Sequence, residues 1–413
     1  MPMPSALSVA PPTSELRRAR FAVAALFLTN GALFANLIPR YPGIKSALGA
    51  DNAVYGLAIA AFPTGAIVAG LAAAPIIRRL GSARTAVIGT VLTAAGTVAA
   101  ASAPSLVVFA VTLFLAGAAD SITDVGQNTH GLLVQRRYGR SIINSFHAIW
   151  SIGAVLGGSM AAGAIALGIP APLHLTIAAV LFSVVALVAS RFCLPGRDTD
   201  ATDEADAAAA RGPARPSPRL VVTVGALVLI AMAGTLVEDA GSTWGALYLS
   251  AGLGAPAAIA ATGFVALVGA QFIGRLLGDG LVDRFGQRAV ARTGGAIALL
   301  GMGLALLVPT VPGTIAGFAA AGFGVATLVP AAMHEADELP GLRAGTGLTI
   351  VSWLMRLGFL LSPPVVGMVA DHVSLRAGLL VVPLAGLVAF ALAGVLSGRR
   401  RTPAPAPAES VGP

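Results

Sequence analysis

Twelve apolar runs, each close to twenty residues long, set the terms for this chain. They fall at about 20–38, 54–77, 84–102, 105–132, 142–167 and 172–192, then at about 220–248, 257–281, 289–309, 312–334, 344–370 and 376–397. About twenty mostly apolar residues in a helix cross the roughly 30 Å hydrocarbon core of a bilayer. In lipid, only helices and closed barrels satisfy every backbone polar group. The expected fold is therefore an all-α membrane protein of twelve transmembrane helices. Charge content agrees: only 11% of residues are charged, against about 25% in soluble domains.

The net charge of +8 does not point to nucleic acid, because the positive residues cluster in short loops. Arg17, Arg18 and Arg20 precede the first run. Arg78, Arg79, Arg84, Arg136, Arg137 and Arg140 fall in alternate loops, as do Arg284, Arg288, Arg292 and Arg343, and Arg399, Arg400 and Arg401 follow the last run. The opposite side has only Arg40, Lys45 and Arg376. The positive-inside rule then places both termini in the cytoplasm. The stretch 194–219, rich in Pro, Asp, Ala and Arg, has too few large apolar residues to pack and reads as a cytoplasmic linker. The expected organisation is a tail over 1–19, a six-helix bundle over 20–193, the linker, a second bundle over 220–397, and a disordered tail over 398–413. Residues 1–14 hold no apolar core, so the first run itself is the expected targeting signal. Lys45 is the only lysine, and alanine and glycine abound, a bias expected of a GC-rich bacterial genome and so of a bacterial plasma membrane.

The two halves repeat. Gly70 and Gly274 lie 204 residues apart; Gly81 and Gly286 lie 205 apart, and so do Gly153 and Gly358. Two six-helix bundles in the same orientation are related by an axis along the membrane normal and can rock around a midplane site. Between the eighth and ninth runs stands Gly278-Asp279-Gly280-Leu281-Val282-Asp283-Arg284-Phe285-Gly286-Gln287-Arg288. It resembles the cytoplasmic loop signature of the major facilitator superfamily, and the resemblance extends over essentially the whole chain. It implies two bundles with pseudo-twofold symmetry and a cytoplasmic gate at Gly278, Asp279, Asp283, Arg284, Gly286 and Arg288, latched when the site faces outward. The N-terminal copy departs from the signature, with Arg78 where the family has Asp.

Asp120, Asp124 and Asn128 follow at four-residue steps and form one helical stripe. A carboxylate at mid-membrane costs about 2.5–3.5 kcal/mol on insertion scales, whereas an interhelical hydrogen bond returns about 0.6 kcal/mol. A functional role is therefore favoured over structural glue. Asp124 and Asn128, with Gly139-Arg140, Asn144-Ser145-Phe146-His147 and Ser151-Ile152-Gly153, resemble the fucose/proton symporter branch of the superfamily, as does Glu238-Asp239-Ala240-Gly241-Ser242-Thr243-Trp244. By that resemblance Asp124 takes the proton-linked role, with Asp120 and Glu238 as further candidates. The first helix here carries Asn30 and Asn36 where the symporter has a working acid. Candidate cavity residues are Asn30, Asn36, Asn128, His147, Trp150, Trp244, Gln271 and Arg356. Neutral polar groups in hydrocarbon need partners. An Arg in mid-helix needs an acid, with Asp120, Asp124 or Glu238 in reach, or an anionic ligand group. Asp239 reads as solvated at the cavity mouth. Pro63 and Pro363-Pro364 are expected to permit bends.

The expected activity is secondary active transport by alternating access, in the form of proton-coupled uptake of a small polar solute such as a sugar. Proton-driven efflux of drugs or metabolites is the alternative; a non-transporting receptor is not expected, because the linker and tail are too short and too polar to supply an output domain. Enzymatic function is not expected. His334-Glu335-Ala336-Asp337-Glu338 lacks the second His of a zinc protease motif, and no phosphate-binding loop is present. The single Cys193 excludes cysteine-based metal sites. No cofactor or metal is expected; the partners are solute, protons and lipid, with no nucleic acid, and the working unit is a monomer.

Overall fold

The computed structural model describes residues 13–139, 142–195, 217–340, 342 and 346–398. Most of the expected tails (1–19 and 398–413) and of the linker (194–219) lies outside the described residues, as do Arg140, Arg343, Arg399, Arg400, Arg401 and the Asn144 side chain. Among the described residues no strand occurs, and twelve helices are long and apolar enough to cross a membrane. They are α1 Ser14–Leu48, α2 Asn52–Gly70, α3 Ser82–Ala101, α4 Leu106–Tyr138, α5 Ser145–Ala166, α6 Ala171–Ser190, α7 Pro218–Gly252, α8 Ala257–Phe285, α9 Gln287–Leu307, α10 Val311–Asp337, α11 Thr346–His372 and α12 Leu375–Val395.

Local chemistry sets where these helices start and break. The hydroxyls of Thr13, Ser105, Ser217, Thr310 and Ser374 each accept a backbone N–H from the first turn of the helix that follows, the ordinary N-cap arrangement. A Gln takes that role at α5: the Gln135 side chain accepts from the amides of Ile142 and Ile143 at 2.7 and 2.9 Å. Proline removes the bond to the carbonyl four residues earlier. Helix α2 accordingly breaks at Ala60, just before Pro63, and α10 breaks at Ala326 and Thr327, just before Pro330. Helix α11 behaves differently. It runs unbroken through Pro363-Pro364 and breaks instead at Met355, whose carbonyl accepts a 3.0 Å bond from the Thr235 hydroxyl of α7. The same carbonyl accepts from the Gly358 amide at 2.9 Å, so the neighbouring helix adds a second donor at the break.

Helix pairing repeats by sixes. In the first bundle α1 packs on α5 and α6, α3 on α4 and α6, and α2 on α4. In the second, α7 packs on α11 and α12, α9 on α10 and α12, and α8 on α10. The contacts between bundles, α5 with α8 and α2 with α11, exchange under the same renumbering. Detail follows the register. Gly81 and Gly286 adopt nearly identical left-handed backbones, φ 84 with ψ 153 and φ 83 with ψ 154. A Cβ on Gly117 would strike the Phe62 carbonyl, and one on Gly322 would strike the Leu267 carbonyl; 117 and 322, like 62 and 267, differ by 205. Helices in lipid gain little from apolar burial against each other and depend on close approach at small residues. Large apolar side chains such as Phe21, Val107, Leu115 and Leu300 face outward instead.

Gly322→Val is expected to lower the apparent melting temperature in detergent, because the new side chain meets backbone that cannot move aside, at a cost of about 1–3 kcal/mol. Gly163→Val is the comparison, since a Cβ there meets nothing within 4 Å. Equal melting temperatures for the two variants would refute the close-approach account.

The bundles are joined at the arginine-poor face. The Asp371 carboxylate, at the end of α11, accepts from the Asn52 amide (3.1 Å), the Asn52 side chain (2.7 Å) and the Ala53 amide (2.6 Å) at the start of α2. Among the described residues, the other hydrogen bond crossing between bundles runs from Arg275 of α8 to Ser151 of α5, at 3.4 Å. Among the described residues, the bonding between bundles is concentrated at the arginine-poor face.

Candidate functional site

A cavity of about 280 Å³ lies between the bundles, lined from α1, α2, α4, α5, α7, α8 and α11. Of the sequence candidates, Asn30, Asp120, Trp150, Glu238 and Arg356 line it. Asn30 is the hub of its polar wall. The Asn30 amide group donates to Asp120 Oδ1 at 2.7 Å, while its carbonyl oxygen accepts from the Trp150 indole N–H at 2.8 Å. Gln127 donates both to Asn30 Oδ1 and to Asp124 Oδ1, each at 3.4 Å. Asn128 donates to the Asp124 carboxylate at 3.0 Å. One chain of hydrogen bonds therefore runs from Trp150 on α5 through α1 to both carboxyls of α4. Inside hydrocarbon such a network is favourable only when its members are satisfied.

The second bundle holds its own polar cluster. Gln271 donates to Glu238 Oε2 at 2.7 Å, and Arg275 forms an ion pair with the same oxygen at 3.6 Å. Because Arg275 also reaches Ser151, it ties Glu238 to the other bundle. Arg356 begins the second segment of α11 and turns into the cavity. The expected pairing of Arg356 with Asp120, Asp124 or Glu238 is not found: among the described residues it makes no ion pair, and Glu238 is taken by Arg275.

Five cavity candidates sit elsewhere than expected, and so does Asp239. Trp244 is fully buried in the packing of the second bundle, and its indole edge meets α2 at Gly56; it is core, not cavity wall. Asn36 is also fully buried, donating to the Ala32 carbonyl and bonded to His174 Nε2 at 2.8 Å, where it joins α1 to α6. His147 is exposed on the arginine-rich side and lies edge-on to Phe27. Asn128 and Gln271 do not line the cavity; they donate to Asp124 behind the wall and to Glu238 on it. Asp239, read as solvated, instead lines the cavity beside Glu238.

At the expected gate, Asp279, Asp283 and Arg284 are exposed. Asp279 and Asp283 make no hydrogen bond or ion pair among the described residues, and Arg284 lies over the Phe285 ring. Gly278 packs against Thr327, and Gly286 makes the reversal. Arg288 is bound to the end of α12 through the Leu396 and Ser397 carbonyls, both at 3.1 Å. No hydrogen bond or ion pair joins this loop to the first bundle among the described residues.

Sequence reasoning missed Gln127, Tyr41 and Arg275. A signal for Arg275 existed: Gln271, Arg275, Asp279 and Asp283 follow at four-residue steps, a polar stripe that begins inside an apolar run.

Comparison with known proteins agrees with this architecture. The Major Facilitator Superfamily profile matches residues 23–333 and 239–412. The chain is 30% identical to the uncharacterized transporter y4wD of Sinorhizobium fredii over 374 residues, covering 91% of this chain and 97% of that one. Among solved structures it superimposes on the nucleoside transporter NupG with TM-score 0.68, at 15% identity, over 93% of this chain and 99% of that one. FucP in its outward conformation, a Major Facilitator Superfamily transporter, matches with TM-score 0.61 at 18% identity, over 91% and 97%. With twelve helices paired by sixes and a family match across both bundles, the chain belongs to the Major Facilitator Superfamily.

Proposed function

We propose that the protein couples the uptake of a small polar solute, such as a sugar, to protons by alternating access, acts as a monomer, and has its arginine-rich face in the cytoplasm. The observation that carries this reading is the hydrogen-bonded chain Trp150–Asn30–Asp120, continued through Gln127 to Asp124, on the wall of a cavity between two bundles. Its carboxyls can bind and release a proton, its amides can bind hydroxyl groups, and the Trp150 ring offers a face to a sugar. Protonation removes the charge that opposes closure around the loaded site. The contacts at the arginine-poor face hold the site inward, and the Asp283–Arg284 loop latches it outward. The test is reconstitution into liposomes under an inward proton gradient, with a screen of sugars and other small polar solutes for accumulation; absence of accumulation for every solute would overturn the reading.

Efflux of an amphiphilic compound is the second reading. It is favoured by the aromatic and aliphatic part of the wall, which includes Phe34, Phe62, Phe264, Phe359, Ile38 and Ile59. Expulsion of lipophilic dyes with no solute accumulation would select it.

Arg275→Met is expected to slow uptake several-fold. It removes the Glu238 pair and the bond to Ser151, both of which must re-form in each cycle. The effect is modest because Arg275 keeps 38% of its side-chain surface exposed, and half-exposed ion pairs contribute about 1 kcal/mol or less. An unchanged initial rate of uptake would refute it.

A further inference from the structure

The end of the cavity nearest the arginine-poor face carries polar groups that the protein itself leaves unmatched. Tyr41 and Asp239 line it. The Tyr41 side chain is only 2% exposed and its hydroxyl has no hydrogen-bond partner. Asp239 Oδ2 and the hydroxyl of Ser362, a residue 1% exposed, are unpartnered as well. Ser362 and Thr243 lie beside the Asp239 carboxylate. Buried polar groups are nearly always paired, and each exception calls for an explanation. Two of these exceptions, Tyr41 and Asp239, line one end of one cavity and share one explanation.

The contrast with Glu238 sharpens the point. These two acids are adjacent on α7 and line the same cavity. Glu238 is occupied by Gln271 and Arg275, whereas Asp239 offers a free acceptor oxygen among hydroxyls that both donate and accept. Two adjacent hydroxyls of a ligand can donate to the two oxygens of one carboxylate while their own lone pairs accept from a phenol. The rings of Phe34 and Phe62, stacked at 4.0 Å between centroids, line the same cavity and suit the C–H face of a small saturated ring.

We propose that Asp239 and Tyr41 form a subsite that binds a vicinal diol of the transported solute. This rests on the polar-solute reading above and narrows it to ring compounds with adjacent hydroxyls, whether free sugars or the ribose of a ribonucleoside. Asp239 is thereby a specificity-determining residue, distinct from the proton-handling carboxyls of α4.

The test is direct binding to the purified full-length protein by calorimetry. The probes are methyl β-D-ribofuranoside, as a free sugar, and uridine, each beside its 2-deoxy counterpart, which has no adjacent hydroxyls. The expected result is that at least one diol binds and that its deoxy partner binds about tenfold to a hundredfold more weakly, the usual effect of losing a hydrogen bond to a charged group. Asp239→Asn and Tyr41→Phe should each weaken the diol by a similar factor and leave the deoxy compound unchanged. The sugar and uridine separate the two sources of the diol. Tyr41→Phe keeps the buried volume, and circular dichroism checks that both variants fold. A diol that binds equally well to wild type and both variants overturns the subsite alone, since the polar groups then hold only water. If no probe binds and dyes are expelled, the subsite and the uptake reading fall together.

Discussion

Replacing Asp371 with alanine is expected to open the arginine-poor face of the protein more often. The Asp371 carboxylate acts as an N-cap in trans: it belongs to α11, but it satisfies the free amides at the start of α2, in the other bundle. A carboxylate at a helix N-terminus gains from the amide donors and from the helix dipole together. Loss of a capping side chain costs about 0.5–2 kcal/mol. Asp371 is exposed, so water partly replaces it and the lower part of that range applies. The conformational equilibrium should shift about two- to tenfold, since about 1.4 kcal/mol corresponds to a factor of ten. The readout is the labelling of a cysteine placed at Phe62, on the cavity wall, in a Cys193→Ser background, by a membrane-impermeant maleimide added at the arginine-poor face. Labelling should accelerate about two- to tenfold in Asp371→Ala and less in Asp371→Asn, whose side-chain carbonyl can still accept. Equal rates in all three proteins would show that the face is held by packing alone. That packing is substantial: Gly56 lies under the Pro363 carbonyl and Gly367 under that of Asn52.

The scaffold was far more legible in the sequence than the site was. Twelve apolar runs require twelve helices because lipid leaves the backbone no other partner. The spacing of 205 between Gly81 and Gly286 anticipated matched reversals because a left-handed backbone nearly always demands glycine. The stripe Asp120, Asp124, Asn128 was readable for a similar reason, since helical period alone puts the three on one face. What a side chain meets across a helix interface has no such local signature. Nothing near Trp244 distinguishes a ring that lines a cavity from one that fills the core, and nothing near Asn36 shows that His174 stands opposite. Arg356 was readable as a costly mid-helix charge that needs an acid or an anionic ligand group, but not which of the two, because that depends on which acids other helices already engage, as Arg275 engages Glu238. The break of α11 at Met355 was unreadable too: it depends on Thr235 of another helix, whereas the visible prolines lie further along. Local rules thus reach the helices and their faces, and tertiary competition for partners decides the rest.

The largest effect should come from the two carboxyls of α4, and their positions separate their roles. Asp120 lines the cavity and accepts from Asn30, whereas Asp124 lies one turn further toward the arginine-rich face, held by Gln127 and Asn128 of its own helix. On the proton-coupled reading proposed above, the two taken in series would form a path for a proton between the cavity and the side where His147 is exposed. Asp120→Asn and Asp124→Asn keep size and shape, and the new side-chain carbonyl can still accept from Asn30 or Gln127, so the fold should persist. Neither replacement can carry a proton. Both variants should therefore lose proton-driven accumulation by at least about tenfold, the lower range for a positioned proton-transfer group being about a hundredfold, while solute counterflow without a gradient survives. Half-saturation then tells them apart. Asp120→Asn alters a wall that the solute touches and should shift the solute concentration needed for half-maximal counterflow. Asp124→Asn stands behind that wall and should leave it unchanged. Accumulation that survives in Asp124→Asn but fails in Asp120→Asn would place the whole proton site at the cavity. Survival in both would move coupling to Glu238, whose pair with Arg275 would then have to open in every cycle.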